Sequence, residues 1–154
     1  MTPDERADMA RANFLEGYNC AQSVVVAFED VLGTHGINKT TAACLASPFG
    51  GGMGRLREVC GTVSGALMVL GLVDGYDDPE AFNEKAELYE RVQALAAAFR
   101  EENGTILCRE LLGLPVGPDA SVPEKRSEQY YQKRPCAELC ACSARIMQEY
   151  LDQR

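Results

Sequence analysis

The clearest indication of the fold class is the stretch DPEAFNEKAELYERVQALAAAFREENG, residues 78–104. Asp78 can cap a helix, and Pro79 suits its first position, because the N–H that proline lacks has no helical partner there anyway. An amphipathic stretch follows as far as Glu102, where an Asn-Gly pair ends it. The stretch therefore predicts one long helix with a solvated, charged face.

Comparable start and stop signals divide the rest of the chain into helices. The predicted helices start at or near the following residues: Thr2, Asn19, Asn38, Glu58, Asp78, Thr105 and Pro135. The Pro- and Gly-rich segment 113–123 reads as a loop. No segment alternates apolar and polar residues between hairpin turns, so strands are not expected. We predict an all-α fold, with residues 1–154 forming a single-domain bundle of six or seven helices.

Composition excludes several classes of function. The 154 residues include 7 Cys, 1 His and no Trp, and the net charge of -8 argues against a nucleic-acid binder. A single His rules out a His-rich metal site, and no Cys-x-x-Cys-His run is present to attach haem. The longest apolar run, residues 65–73, is too short to cross a bilayer, so membrane insertion is not expected.

The N-terminal residues show no signal peptide, which favours a cytoplasmic protein. Thiols stay reduced in the cytoplasm, where cysteine clusters more often serve metal binding or catalysis than structural disulfides. An odd number of cysteines also excludes a complete set of internal disulfides. The main question is therefore whether the cysteines serve thiol chemistry, bind a metal ion or hold a metal cluster.

Four of the seven cysteines fall within the first turn of a predicted helix. They are Cys20, Cys60, Cys108 and Cys136. Unpaired N–H groups and the positive end of the helix dipole favour a negative charge there. This setting lowers a thiol pKa below its free value of about 8.5 and suits a ligand or a nucleophile.

The other three cysteines have different surroundings. Cys44 lies in an apolar run and is expected to be a small buried side chain. Cys140 follows Cys136 by four residues on the same helical face and could substitute for it as a ligand or act as a resolving thiol. Cys142 is two positions further on and points elsewhere.

Two glycine patterns indicate close approach of the backbone. Residues 50–54 are Gly-Gly-Gly-Met-Gly, but no P-loop follows, so no nucleotide is expected. The better interpretation is a loop at a site, with Arg55 and Arg57 supplying positive charge. Gly61 and Gly65 are four residues apart on one face of a predicted helix, which lets another helix pack closely.

An ordered set of motifs carries a resemblance to a known family. The motifs are Asn19–Ser23, Phe49–Gly54, Cys60–Gly65, Cys108–Gly113 and Cys136 before a final helix. Over about residues 14–151 the chain resembles the C_GCAxxG_C_C family of redox-active proteins. Thr62 stands where the family has Ala. The resemblance implies a small, helical, bacterial protein whose four functional cysteines are Cys20, Cys60, Cys108 and Cys136.

The family is also similar to a domain of the split-Soret cytochromes, without their haem-binding part. In those proteins the cysteines are thought able to hold an iron–sulfur centre. No haem is expected in the present chain.

Three functions remain open. The first is a shared iron–sulfur or metal site of the four cysteines, with zinc as the alternative occupant, used in electron transfer or redox sensing. The second is a thiol–disulfide oxidoreductase in which Cys60 attacks and another cysteine, such as Cys20, resolves. The third is a helical partner-binding or structural domain. The expected partners are a redox protein or a small thiol, and a homodimer through the Gly61/Gly65 face or the long helix is left open.

Overall fold

The computed structural model describes residues 1–154 as nine α-helices without a β-strand, which confirms the all-α class. The helices are α1 (Pro3–Glu16), α2 (Cys20–Val26), α3 (Glu29–Thr34), α4 (Lys39–Ala46), α5 (Gly61–Asp74), α6 (Phe82–Asn103), α7 (Cys108–Leu111), α8 (Glu128–Lys133) and α9 (Cys136–Asp152). A 3₁₀ turn over Ser47–Phe49 leads into the glycine-rich stretch, which is a loop because Gly51 and Gly52 have left-handed backbone angles. No helix combines the length and the apolar character needed to cross a membrane.

The expected number of six or seven helices is wrong because of two features. The helix predicted after Asn19 is interrupted at Ala27, whose carbonyl accepts a hydrogen bond from the buried Arg6 at 2.6 Å, and the chain resumes as α3. In addition, Ser127 caps the short helix α8 by accepting a hydrogen bond from the N–H of Tyr130 at 3.2 Å.

Arg6 connects three elements through one buried side chain. Its guanidinium donates to Asp30 at 2.7 Å and to Gln148 at 2.8 Å, and it lies 4.3 Å from the ring centroid of Phe28. The same group also holds the carbonyl of Ala27. This network joins α1, the junction between α2 and α3, and α9.

Three helices begin later than predicted. Residues 58–60 are extended rather than helical, because Val59 forms an isolated antiparallel bridge with Leu107. The N–H of Cys60 donates to the carbonyl of Ile106 at 2.8 Å, and the N–H of Cys108 donates to the carbonyl of Glu58 at 2.6 Å. The bridge therefore delays the starts of α5 and α7 and joins the backbone next to Cys60 to the backbone next to Cys108. The long helix α6 likewise starts at Phe82 rather than at Pro79.

Close packing of α2 against α5 depends on glycine, as the sequence predicted. A Cβ atom on Gly65 would lie 2.7 Å from the carbonyl oxygen of Ala21 and 3.1 Å from the Cβ of Val24. On the same helix, a Cβ on Gly71 would meet nothing within 4 Å. The α2–α5 contact thus tolerates no side chain at position 65 without backbone movement.

Substitution of these two glycines tests the packing. We expect Gly65→Ala to lower the free energy of unfolding by about 1–3 kcal/mol, since a backbone atom must move to admit the methyl group. Gly71→Ala should be neutral or stabilising by up to about 1 kcal/mol, since alanine favours a helix over glycine. Urea unfolding followed by circular dichroism measures both. Equal effects of the two substitutions would contradict the packing argument.

Candidate functional site

The four motif cysteines line one cavity of about 460 Å³. As predicted, each lies at the start of a helix: Cys20, Cys108 and Cys136 are the first residues of α2, α7 and α9, and Cys60 is the N-cap of α5. Cys60 and Cys108 are buried, whereas Cys20 and Cys136 are partly exposed to the cavity and solvent. All seven cysteines of the protein are free thiols.

Two glycines allow the backbone to approach these sulfur-bearing residues. A Cβ on Gly61 would lie 2.5 Å from the Sγ of Cys20 and 2.7 Å from the carbonyl oxygen of Phe49. A Cβ on Gly52 would lie 2.7 Å from the Cβ of Cys108 and 2.6 Å from the backbone nitrogen of Glu58. The positions of Cys20 and Cys108 at the cavity therefore require both glycines.

The loop 51–57, here called the glycine–arginine loop, has an unusual backbone. Its positive φ angles fall on Gly51, Gly52, Met53, Gly54, Arg55 and Arg57. Three of these residues are not glycine, so their left-handed conformation is strained. Such strain persists only where the surrounding structure imposes it, and it concentrates at functional sites.

The glycine–arginine loop directs hydrogen-bond donors at two of the sulfur atoms. Nη1 of Arg57 donates to the Sγ of Cys108 at 3.6 Å, and the backbone N–H of Gly51 faces Cys20 and opposes the rise in its pKa. Nε of Arg57 lies 3.0 Å from the carboxylate of Asp119, which also pairs with Arg55 at 3.4 Å. Two guanidinium groups thus share one carboxylate, which leaves a surplus positive charge beside the thiols.

Thr62 supplies a third polar contact to sulfur. Its Oγ1 lies 3.1 Å from the Sγ of Cys60, and the side chain is fully buried. Alanine, which the family has at this position, offers no such contact. The departure from the family pattern therefore adds a hydrogen bond at the site.

The prediction of lowered thiol pKa values is wrong for three of the four cysteines. Burial, reinforced by the neighbouring sulfur of Cys20, raises the pKa of Cys60 to about 12 and that of Cys136 to about 12. Burial also raises the pKa of Cys20, although the N–H of Gly51 opposes the shift. Loss of hydration therefore outweighs the helix starts and hydrogen bonds, and these thiols are neutral near pH 7.

The remaining cysteines lie outside the cavity lining. Cys140 is fully buried, and its S–H donates to the carbonyl oxygen of Cys20 at 3.7 Å. Cys142 donates to Glu102 at 3.3 Å and accepts from Asn103 at 3.4 Å. Cys44 is exposed, so the prediction that it is buried is wrong: the apolar run belongs to the short helix α4, which turns this residue outward.

The side chains do not form a ready site for a single metal ion. No three Cys, His, Asp or Glu side chains come close enough together to hold a metal ion. A single zinc ion needs four donors about 2.0–2.3 Å from one point. The four thiols line a cavity and do not converge on one point.

Two arginines in the cavity wall were not predicted from the sequence to belong to the site. Arg126 and Arg134 line the cavity together with Tyr130. Nη1 and Nη2 of Arg126 donate to the carbonyls of Phe14 and Tyr18, each at 2.9 Å. The available signal was the basic and aromatic cluster RSEQYYQKR, residues 126–134, which directly precedes the motif cysteine of α9.

Thiol reactivity tests the account of burial. At pH 8, in the metal-free reduced protein, we expect iodoacetamide to label exposed Cys44 first. A pKa of about 12 leaves little thiolate on Cys60 and Cys136. These two should therefore react about thirtyfold or more slowly than in the urea-unfolded chain, even after allowance for the greater nucleophilicity of a more basic thiolate. Mass spectrometry of the peptides gives each rate.

The rate of thiol labelling should increase with pH. Because thiolate increases about tenfold per pH unit below the pKa, labelling of Cys60 should still rise between pH 8 and pH 10. Labelling of Cys60 as fast as that of Cys44 at pH 7 would contradict the raised pKa.

Comparison with known proteins agrees with the motifs. The family described as "Putative redox-active protein (C_GCAxxG_C_C)" matches residues 18–150. Searches of the curated proteins and of the solved structures found no match. The matched residues contain all four cavity cysteines and the glycine–arginine loop. Because the match covers most of the chain, the protein belongs to the C_GCAxxG_C_C family.

Proposed function

We propose that Cys20, Cys60, Cys108 and Cys136 are the ligands of an iron–sulfur cluster that serves electron transfer or redox sensing. The observation that carries the proposal is that four thiols from four separate helix starts line one cavity. Four cysteine thiolates are the usual ligand set of such clusters, which exchange single electrons. The match to a redox-active family supports the same conclusion.

The absence of a preformed site for a single metal ion is the argument for a cluster rather than zinc. A single ion would require the donors to converge on one point, and no three of them do so. A polynuclear group lies between its ligands and keeps them further apart. The size of the cavity, about 460 Å³, is consistent with such a group.

The polar contacts at the sulfur atoms have a clear role in this function. Hydrogen bonds to ligand sulfurs stabilise the more negative, reduced state and so raise the reduction potential. Arg57 and Thr62 supply such contacts to Cys108 and Cys60, respectively, and the backbone N–H of Gly51 faces Cys20. The positive charge of the glycine–arginine loop acts in the same direction.

The alternative of a thiol–disulfide oxidoreductase with Cys60 as the attacking group has weaker support. An attacking thiol needs a substantial thiolate fraction, whereas burial raises the pKa of Cys60 to about 12. A metal centre does not have this requirement, because a coordinating thiol is deprotonated by the bound cation. No observation favours a purely structural domain, because such a domain does not need hydrogen-bond donors directed at its cysteine sulfur atoms.

The proposal also specifies a cellular compartment and an electron partner. Seven free thiols favour a reducing compartment, which we take to be the bacterial cytoplasm. The electron partner is then a redox protein or a small thiol.

Anaerobic reconstitution with ferrous iron and sulfide tests the function. We expect a brown protein with visible charge-transfer absorption and stoichiometric iron and sulfide. Replacing any one of Cys20, Cys60, Cys108 or Cys136 by serine should lower the bound iron at least severalfold, since each removes a ligand. Cys44→Ser and Cys142→Ser are matched controls, because both residues lie outside the cavity lining.

A colourless protein that takes up only zinc would contradict the proposal. So would equal loss of iron in the cavity variants and in the two control variants.

A further inference from the structure

One arginine of the cavity has no carboxylate partner. Arg55 and Arg57 share Asp119, and Arg134 pairs with Glu124 at 2.9 Å. Arg126 forms no ion pair; two of its nitrogens bond backbone carbonyls, and its guanidinium lies 4.0 Å from the ring centroid of Phe14. The end of the cavity formed by Arg126, Arg134 and Tyr130, here called the Arg126 end, therefore has a net positive charge.

The hydroxyl of Tyr130 also lacks a protein partner. Its backbone N–H bonds Ser127, but the hydroxyl makes no hydrogen bond within the protein. The ring lies 5.0 Å from the guanidinium of Arg126 and 5.7 Å from that of Arg134. Burial raises the pKa of Tyr130, so the hydroxyl is a neutral donor near pH 7. A fixed cation and an unused donor thus stand at the same end of the cavity.

Apolar side chains also line the cavity. Phe14, Leu111, Leu112 and Leu139 line the same cavity. The volume of about 460 Å³ falls within the range of about 300–1,000 Å³ that is usual for small-molecule pockets. The cavity therefore combines a positively charged end with a surface for an apolar group.

We propose that the cavity binds a small organic anion whose single carboxylate or phosphate group lies against Arg126 and the Tyr130 hydroxyl, with its apolar part on the Phe14 and Leu139 side. The inference goes beyond the proposed function, because the anion would lie at the Arg126 end of the cavity, beside the four thiols. Guanidinium groups bind carboxylate and phosphate oxygens through charge-assisted hydrogen bonds, which explains the ligand class. Anion binding and iron loading are nevertheless measured separately.

Calorimetric titration with benzoate and with phenyl phosphate tests the inference, using both the metal-free reduced protein and the reconstituted protein. We expect at least one of the two anions to bind the metal-free protein, and their relative affinity distinguishes a carboxylate ligand from a phosphate ligand. Benzyl alcohol, the neutral probe, should not bind. Arg126→Gln should weaken binding about tenfold or more, since it removes a hydrogen bond from a charged donor. Tyr130→Phe should weaken it about threefold or more.

Arg100→Gln is the matched control, since Arg100 is exposed on α6 and does not line the cavity. If Arg126→Gln fails to fold, Tyr130→Phe decides the outcome, because it removes only a hydroxyl that has no partner. The inference is overturned if neither anion binds up to about 10 mM, or if Tyr130→Phe binds as the wild type does. Anion binding without iron loading would refute the proposed function alone, and iron loading without anion binding would refute this inference alone.

Discussion

The close contact between α2 and α5 is the constraint on which the site depends. Gly61 and Gly65 replace side chains with backbone at the interface, so α2 lies directly against α5. The same contact sets the start of α2, and with it Cys20, beside the start of α5. A methyl group at position 61 would displace the Cys20 sulfur or the backbone at Phe49. Core packing and the arrangement of the thiols are therefore set by the same pair of residues.

A second constraint comes from a very short pairing of extended backbone. The bridge between Val59 and Leu107 joins the segment before α5 to the segment before α7. It joins the segments that carry Cys60 and Cys108 without any contribution from a long helix. Cys136 reaches the cavity from α9, which packs along α1. Four segments distant in sequence thus deliver one thiol each.

The sequence predicted the features that rest on local chemistry. The caps at Thr2, Asn19 and Asn38 and the stop at Gly17 depend only on neighbouring residues, and all four are confirmed. The break at Ala27 could not be foreseen, because it involves Arg6, which is distant along the chain.

The burial of the thiols could not be predicted from the sequence either. A helix start alone suggests a lowered thiol pKa, but the cost of removing a thiolate from water depends on what packs around it. At Cys60 and Cys136 that cost prevails, and the pKa rises to about 12. The exposure of Cys44 was missed for a related reason: an apolar run does not reveal which face of a short helix meets solvent.

The central claim is that the four cysteines share one iron–sulfur centre. Anomalous diffraction at the iron edge, from crystals of the anaerobically reconstituted protein, tests it most directly. The account predicts iron in the cavity, with Cys20, Cys60, Cys108 and Cys136 as its protein ligands. Iron outside the cavity, or iron bound by fewer than three of these cysteines, would contradict the account.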